Sequence, residues 1–91
     1  MKTFQLRITG KVQGVWYRAS AKDKALSLGL KGKVWNESDG AVGALIQGTD
    51  PYVSEFIEWC KQGPVLAEVS GVVVEEVPMT EVFTSFEIVR A

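Results

Sequence analysis

The stretch FQLRITGKVQGVWYR, residues 4–18, joins an alternating pattern to a loop that contains two glycines and ends on an arginine. Between residues 4 and 8 apolar and polar side chains alternate, which is typical of a β-strand with one buried face, and the pattern stops at Gly10. Gly10 and Gly14 precede Arg18, after which the sequence becomes rich in Ala, Leu and Lys. The stretch therefore predicts a strand, a tight loop and the start of a helix.

Helix and hairpin signals follow this loop directly. Residues 19–28 contain no proline or β-branched residue and precede Gly29, a residue typical of helix C-terminal caps, so they predict the first helix. Two β-like runs, residues 32–36 and residues 41–47, lie on either side of a Ser-Asp-Gly sequence that is typical of turns. These two runs predict a β-hairpin.

The second helix is predicted from its boundaries and its periodicity. Asp50-Pro51 is a typical helix start, an N-cap residue followed by proline at the first helical position, and Gly63-Pro64 ends the segment. Apolar residues between these points fall at i, i+3, i+4 and i+7; they are Val53, Phe56, Ile57 and Cys60. We therefore interpret Cys60 as a small core residue rather than a nucleophile.

The order of the elements predicts the fold. A valine-rich run over residues 67–77 and a shorter run over residues 85–90 predict the last strands. The order is then β-α-β-β-α-β, with room for a short extra strand near the C-terminal end. This is the ferredoxin-like split βαβ arrangement of the α+β class, in which two helices cover one face of an antiparallel sheet. No repeat or linker interrupts the order, so we expect a single domain over residues 1–91.

The composition disfavours several classes of partner. Ten basic and eleven acidic residues give a formal net charge of -1, which disfavours nucleic acid and anionic membranes. The single cysteine cannot form an internal disulfide, and no signal peptide or membrane-spanning run is visible, so we expect a cytoplasmic protein. Nothing in the sequence indicates an obligate oligomer, and we expect a monomer.

The chain contains no histidine, which is the commonest general base and metal ligand near neutral pH. Its Asp and Glu residues show no pair at a spacing suited to two carboxylates that face one bond. We therefore expect a site that uses neither a metal ion nor a cofactor.

The loop between the first strand and the first helix is the candidate site. Gly10 and Gly14 can adopt backbone angles that other residues avoid, and a run of N–H groups can then point inward. The helix N-terminus carries partial positive charge and Arg18 adds a planar guanidinium, so the loop suits phosphate or another small anion. From these residues alone, a tight turn with a surface arginine is favoured over an anion site, because short patterns match by chance.

The nonapeptide GKVQGVWYR, residues 10–18, fits the acylphosphatase pattern G-x-V-Q-G-V-x-[FY]-R at every fixed position. The predicted hairpin resembles a second signature of that family, in which glycines, an asparagine and a valine are spaced across a hairpin. The matching residues are Gly32, Asn36, Gly40, Val42 and Gly48. The chain therefore resembles the acylphosphatase family over essentially its full length. Lys33 and Trp35 depart from the second signature, and alternation puts both on the face opposite Val34.

The resemblance implies hydrolysis of small acyl phosphates to a carboxylate and inorganic phosphate. It implies that Arg18 and Asn36 are the catalytic residues, because Arg18 matches the arginine that holds the phosphate and Asn36 matches the asparagine that orients the attacking water. It also implies a phosphate-binding loop made of Gln13, Gly14, Val15, Trp16, Tyr17 and Arg18, which bind through their backbone N–H groups. Without the resemblance, Asn36 is typical of a β-turn residue.

Two other functions use this fold. An acylphosphatase-like domain can bind acyl or carbamoyl phosphate as a non-catalytic accessory module, and its loop would look the same. RNA-recognition modules carry a glycine-aromatic motif on the third strand, whereas residues 31–35, KGKVW, lie on the second strand of a chain without a basic excess. Turnover is favoured because both Arg18 and Asn36 are present.

Overall fold

Seven secondary-structure elements follow one another along the chain, and the computed structural model describes residues 1–90. The strands are β1 (Lys2–Lys11), β2 (Lys31–Asn36), β3 (Val42–Gly48), β4 (Glu68–Val77) and β5 (Phe86–Val89), and the helices are α1 (Tyr17–Ser27) and α2 (Tyr52–Cys60). Every predicted helix and strand is present. Neither described helix is long and apolar enough to cross a membrane.

The strands form one sheet in the order β4-β1-β3-β2-β5. Neighbours among β4, β1, β3 and β2 pair antiparallel, which confirms the ferredoxin-like prediction for these four strands. β5 pairs parallel with β2, so the sheet is mixed, and the prediction of an antiparallel sheet is wrong at this edge. The reason is geometric: β4 ends beside Thr3, and residues 78–85 cross that same end of the sheet. β5 therefore starts where β2 starts, and it covers an otherwise open sheet edge.

A buried glutamine holds this crossover against the sheet. Gln47 is 1% exposed. Its Nε2 donates to the Thr3 hydroxyl over 3.1 Å and to the Glu81 carbonyl over 2.6 Å, and its Oε1 accepts from the Phe83 N–H over 2.8 Å. Because a buried amide is costly unless it is hydrogen-bonded, these bonds fix the crossover to the ends of β1 and β3.

Both helices pack on one face of the sheet, where they share a single apolar core. Its largest fully buried apolar side chains include Leu6, Ile8, Leu30, Ile46, Phe56 and Phe86. α1 begins at Tyr17, two residues before the predicted range 19–28, because the Tyr17 ring is buried against Trp59 with 5.4 Å between ring centroids. Arg18 therefore belongs to the first turn of α1 rather than to the loop.

The hydroxyl of Tyr17 joins the two helices. It donates a 2.7 Å hydrogen bond to the carbonyl of Cys60, the last residue of α2. Burial raises the pKa of Tyr17 well above its usual value, and burial also raises the pKa of the Cys60 thiol to about 12. Both groups are therefore protonated near neutral pH, and Cys60 is a core residue, as predicted.

Gly32 is expected to be intolerant of any side chain. Its φ is 142°, and a Cβ at this position would lie 1.9 Å from the Leu45 carbonyl oxygen. We expect Gly32→Ala to lower the free energy of unfolding by about 3 kcal/mol, since it adds both backbone strain and a clash. Gly29→Ala is the control, because Gly29 has a φ of 71° and open space around it; the loss there should be about 1 kcal/mol. Urea unfolding measures both, and equal losses would contradict the clash.

The Cys60 thiol is expected to be protected in the native chain. Burial and a pKa near 12 both suppress the reactive thiolate. We expect an aromatic disulfide reagent at pH 8 to modify the native chain at least about 100-fold more slowly than the urea-unfolded chain. The absorbance of the released thiolate gives both rates. Rapid modification of the native chain would contradict the burial of Cys60.

Candidate active site

A cavity of about 260 Å³ opens at the N-terminus of α1. The loop after β1 and the first turn of α1 contribute residues 12–14 and 16–19, β2 contributes Asn36, β5 contributes Ile88, and Arg90 directly follows β5. These segments meet because β2 and β5 lie side by side, run in the same direction and both contact α1. The cavity is the candidate site.

The loop reaches α1 through two residues with left-handed backbone angles. Gly14 has a φ of 74°, and Trp16, which directly precedes α1, has a φ of 67°. A non-glycine residue in this region is uncommon and costs about 1 kcal/mol. The neighbours of Trp16 explain how it is held there, because Val15 and Tyr17 are both buried in the core. Trp16 itself is 76% exposed, and it lines the cavity.

Gly10 serves the sheet rather than the loop. β1 continues to Lys11, past an irregularity in its pairing with β4, so the predicted end of the strand at Gly10 is one residue early. Gly10 has a φ of 117°, and a Cβ there would lie 2.2 Å from the Glu68 carbonyl oxygen. The close approach of β4 therefore requires this glycine.

The N-terminus of α1 can bind an anion. Its first helical hydrogen bond runs from the Ser20 N–H to the Trp16 carbonyl over 3.0 Å, so the N–H groups of residues 17–19 have no acceptor within the helix. No side chain from the described part of the chain caps this end, and no acidic residue lies in the first turn. The free N–H groups and the partial positive charge of the helix end favour a negatively charged ligand at this point.

Arg18 and Asn36 line the same cavity, although they come from different elements. Arg18 is half-buried, and no carboxylate among residues 1–90 lies within ion-pair distance of its guanidinium. The Oδ1 of Asn36 is buried, and no donor within the described chain reaches it. A buried acceptor without a donor is costly, so this atom is suited to accept a hydrogen bond from a molecule that enters the cavity.

The other residues of the predicted phosphate-binding loop fall into two groups: those that line the cavity and those whose side chains are buried in the core, and Tyr17 belongs to both. Gln13, Gly14, Trp16 and Tyr17 line the cavity together with Arg18. Val15 does not line it, because its side chain belongs to the core, and the ring of Tyr17 is also held in the core. Val15 and Tyr17 can therefore serve an anion only through their backbone N–H groups.

Arg90 lines the cavity, and sequence reasoning missed it. The run over residues 85–90 predicts a strand, but no local pattern shows that this strand pairs parallel with β2. That pairing brings the end of β5 beside Asn36 and adds a second guanidinium to the cavity. No group of three His, Cys, Asp or Glu side chains that could hold a metal ion occurs among residues 1–90.

Lys33 and Trp35, the two departures from the family pattern, lie on the opposite face of the sheet. Val34 between them is fully buried under the helices, as alternation predicts. Trp35 covers Gly43, where an added Cβ would meet the indole ring at 2.5 Å, and the Lys33 ammonium lies 5.8 Å from the Phe83 ring centroid. The two substitutions therefore affect packing of the open sheet face and not the lining of the cavity.

Comparisons with known proteins show which family the chain is similar to. The family model described as acylphosphatase matches residues 4–88. An acylphosphatase of Methylococcus capsulatus is 46% identical to the chain over 90 residues, which cover 99% of this chain and 98% of the relative.

Two solved structures resemble the fold. The crystal structure of an acylphosphatase from Bacillus subtilis has a TM-score of 0.94 at 31% identity and covers 98% of this chain and 99% of its own. A full-length HypF, solved in a phosphate- and nucleotide-bound form, has a TM-score of 0.87 at 32% identity; the match covers 97% of this chain but 12% of HypF. Together with the family match over residues 4–88, these similarities confirm the resemblance found in the loop and the hairpin, and the chain belongs to the acylphosphatase family.

Proposed function

We propose that this chain hydrolyses acyl phosphates to a carboxylate and inorganic phosphate, with Arg18 and Asn36 as its catalytic residues. The observation that carries the proposal is one cavity that combines a helix N-terminus, an arginine with no carboxylate within ion-pair distance among residues 1–90, and the buried Oδ1 of Asn36, which no donor in that range reaches. A cation and N–H donors suit the phosphate, and an unpaired acceptor suits the attacking water.

The leaving group explains why this reaction needs no general acid. A departing carboxylate has a pKa of about 4, so it leaves as an anion without taking up a proton. The chain has no histidine to supply such a proton. We therefore expect the reaction to proceed without a metal ion or a cofactor.

The phosphate is held by backbone donors and by Arg18. Phosphoryl transfer passes through a loose transition state with charge on the equatorial oxygens, so catalysis depends on positioning and on preorganised donors. The N–H groups of residues 13–18 surround the phosphate oxygens, and the guanidinium of Arg18 adds charge-assisted hydrogen bonds. Arg18 and the loop therefore contribute to binding and to turnover.

Asn36 orients the nucleophile. Its Oδ1 accepts a hydrogen bond from a water molecule and holds the water oxygen in line with the phosphorus. The new P–O bond forms as the bond to the acyl oxygen breaks, and the bonding pair leaves on the carboxylate. A neutral amide is a weak base, so the proton of the water passes to a phosphate oxygen late in the reaction.

We propose the same setting for the chain as the sequence predicts: a single domain over residues 1–91 that works as a cytoplasmic monomer. The net charge of -1 disfavours binding to nucleic acid or to an anionic membrane, so we propose a small-molecule acyl phosphate as the partner.

A second candidate function is a non-catalytic module that binds acyl or carbamoyl phosphate. The similarity to HypF favours it, because the matched region makes up 12% of that longer chain. The two functions differ in one property, since the module binds phosphate without turnover.

Hydrolysis of benzoyl phosphate by the purified chain, with EDTA present, tests the proposed activity. We expect rapid loss of the acyl phosphate and far slower hydrolysis of p-nitrophenyl phosphate, because a phenolate is more basic than a carboxylate and is therefore the poorer leaving group. Ultraviolet absorbance follows the first reaction, and visible absorbance follows the second. A chain that binds inorganic phosphate but leaves benzoyl phosphate intact would contradict the proposal and favour the accessory module.

Single substitutions separate the two proposed catalytic residues. Arg18→Ala should raise KM and lower kcat together, whereas Asn36→Ala should lower kcat by about 100-fold with little change in KM. Lys22→Ala is the matched control, since Lys22 is a cation one turn further along α1 that does not line the cavity. Steady-state kinetics measure all three, and a near-normal kcat for Asn36→Ala would remove its assigned role.

A further inference from the structure

We infer that the side chain of Gln13 is a positioning residue that sets Asn36 against the phosphate-binding loop, an inference that rests on the proposed function. The Nε2 of Gln13 donates to the carbonyl of Glu37 over 2.8 Å and to the carbonyl of Ala41 over 2.9 Å. Both hydrogens of the amide are therefore used, and both bonds reach the turn between β2 and β3.

The two acceptors are the carbonyls that close this turn. The Glu37 N–H donates to the Ala41 carbonyl over 2.8 Å, and the Gly40 N–H donates to the Glu37 carbonyl over 3.3 Å. Gln13 gives each carbonyl a second hydrogen bond. It therefore binds both ends of the turn, one at Glu37 and the other at Ala41. Glu37 directly follows Asn36, which places the contact one residue from the amide that is proposed to hold the water.

A second side-chain contact, between Arg7 and Asp39, also holds the turn. The Arg7 guanidinium pairs with the Asp39 carboxylate, and this hydrogen bond lowers the pKa of Asp39. Asp39 Oδ1 also accepts from the Ala41 N–H over 3.2 Å. The ion pair is exposed, and Arg7 belongs to β1, so this pair holds the turn against the sheet, whereas Gln13 holds the turn against the loop.

The consequence is a direct link between the two halves of the site. Gln13 precedes Gly14 in the loop whose backbone N–H groups are proposed to bind the phosphate, and its side chain reaches the turn beside Asn36. A change of the Gln13 side chain leaves its backbone N–H group present. Loss of the side chain should therefore move Asn36 relative to the phosphate and leave phosphate binding nearly intact.

Gln13→Met tests this link, because methionine keeps nearly the volume of glutamine but has no N–H donor. We expect kcat for benzoyl phosphate to fall at least about tenfold, since a displacement of about 1 Å can cost up to about 100-fold in rate. KM and the inhibition constant of inorganic phosphate should change by less than about threefold. A raised KM with an unchanged kcat would overturn the inference.

A double-mutant cycle with Asn36→Ala shows whether Gln13 acts through Asn36. If it does, Gln13→Met in the Asn36→Ala background should lower kcat by less than about twofold, because the positioned group is already gone. Independent, multiplying losses would overturn the inference. A wild-type chain without activity would overturn the proposed function as well, whereas an active wild type, an impaired Asn36→Ala and a normal Gln13→Met would overturn the inference alone.

Gln47→Met is the matched structural control. Gln47 is also a glutamine that pins a loop through backbone groups, but it holds the crossover at residues 81–83 and does not line the cavity. We expect it to lower the urea midpoint at least as much as Gln13→Met does while kcat stays within about twofold of wild type. A comparable loss of kcat in Gln47→Met would show that loss of stability, and not positioning, explains the effect at Gln13.

Discussion

Burial of Tyr17 sets the start of α1, and the rest of the site depends on that start. The Tyr17 ring packs on Trp59, and its hydroxyl is bonded to the Cys60 carbonyl, so the first turn of α1 is held against the end of α2. Gly63 leaves room for this ring, because a Cβ there would lie 2.7 Å from it. With Tyr17 inside, the left-handed angle of Trp16 completes the turn into the helix, and Arg18 lines the cavity.

A chain with a net charge of -1 can still present an anion site, because the forces at the site act over short distances. Exposed charges separated by more than about 8 Å are largely screened at physiological salt. N–H groups at a helix end and a guanidinium act within hydrogen-bond distance, where the overall charge of the chain matters little. Among residues 1–90, two arginines and no acidic residue line the cavity, so these lining residues carry a charge opposite to the net charge of the chain.

Sequence patterns predicted the elements well and their ends less well. The alternation before Gly10 does not reveal that β1 continues through an irregularity to Lys11, since that continuation depends on β4. The apolar spacing of residues 19–28 does not reveal that the helix begins at Tyr17, since the ring is buried by α2 rather than by its own helix. In both cases the missing information lies in a partner distant along the chain.

Local patterns alone determined the order and type of the elements, the need for glycine in the loop and the candidate pair Arg18 and Asn36, because periodicity and signatures are read along a continuous stretch. The tertiary structure decided which groups share the cavity. Parallel pairing of β5 with β2 brings Arg90 to it, and the bonds of Gln13 join residues 24 and 28 positions apart. Contacts of this kind depend on strand pairing and side-chain direction, and no short stretch of sequence encodes either one.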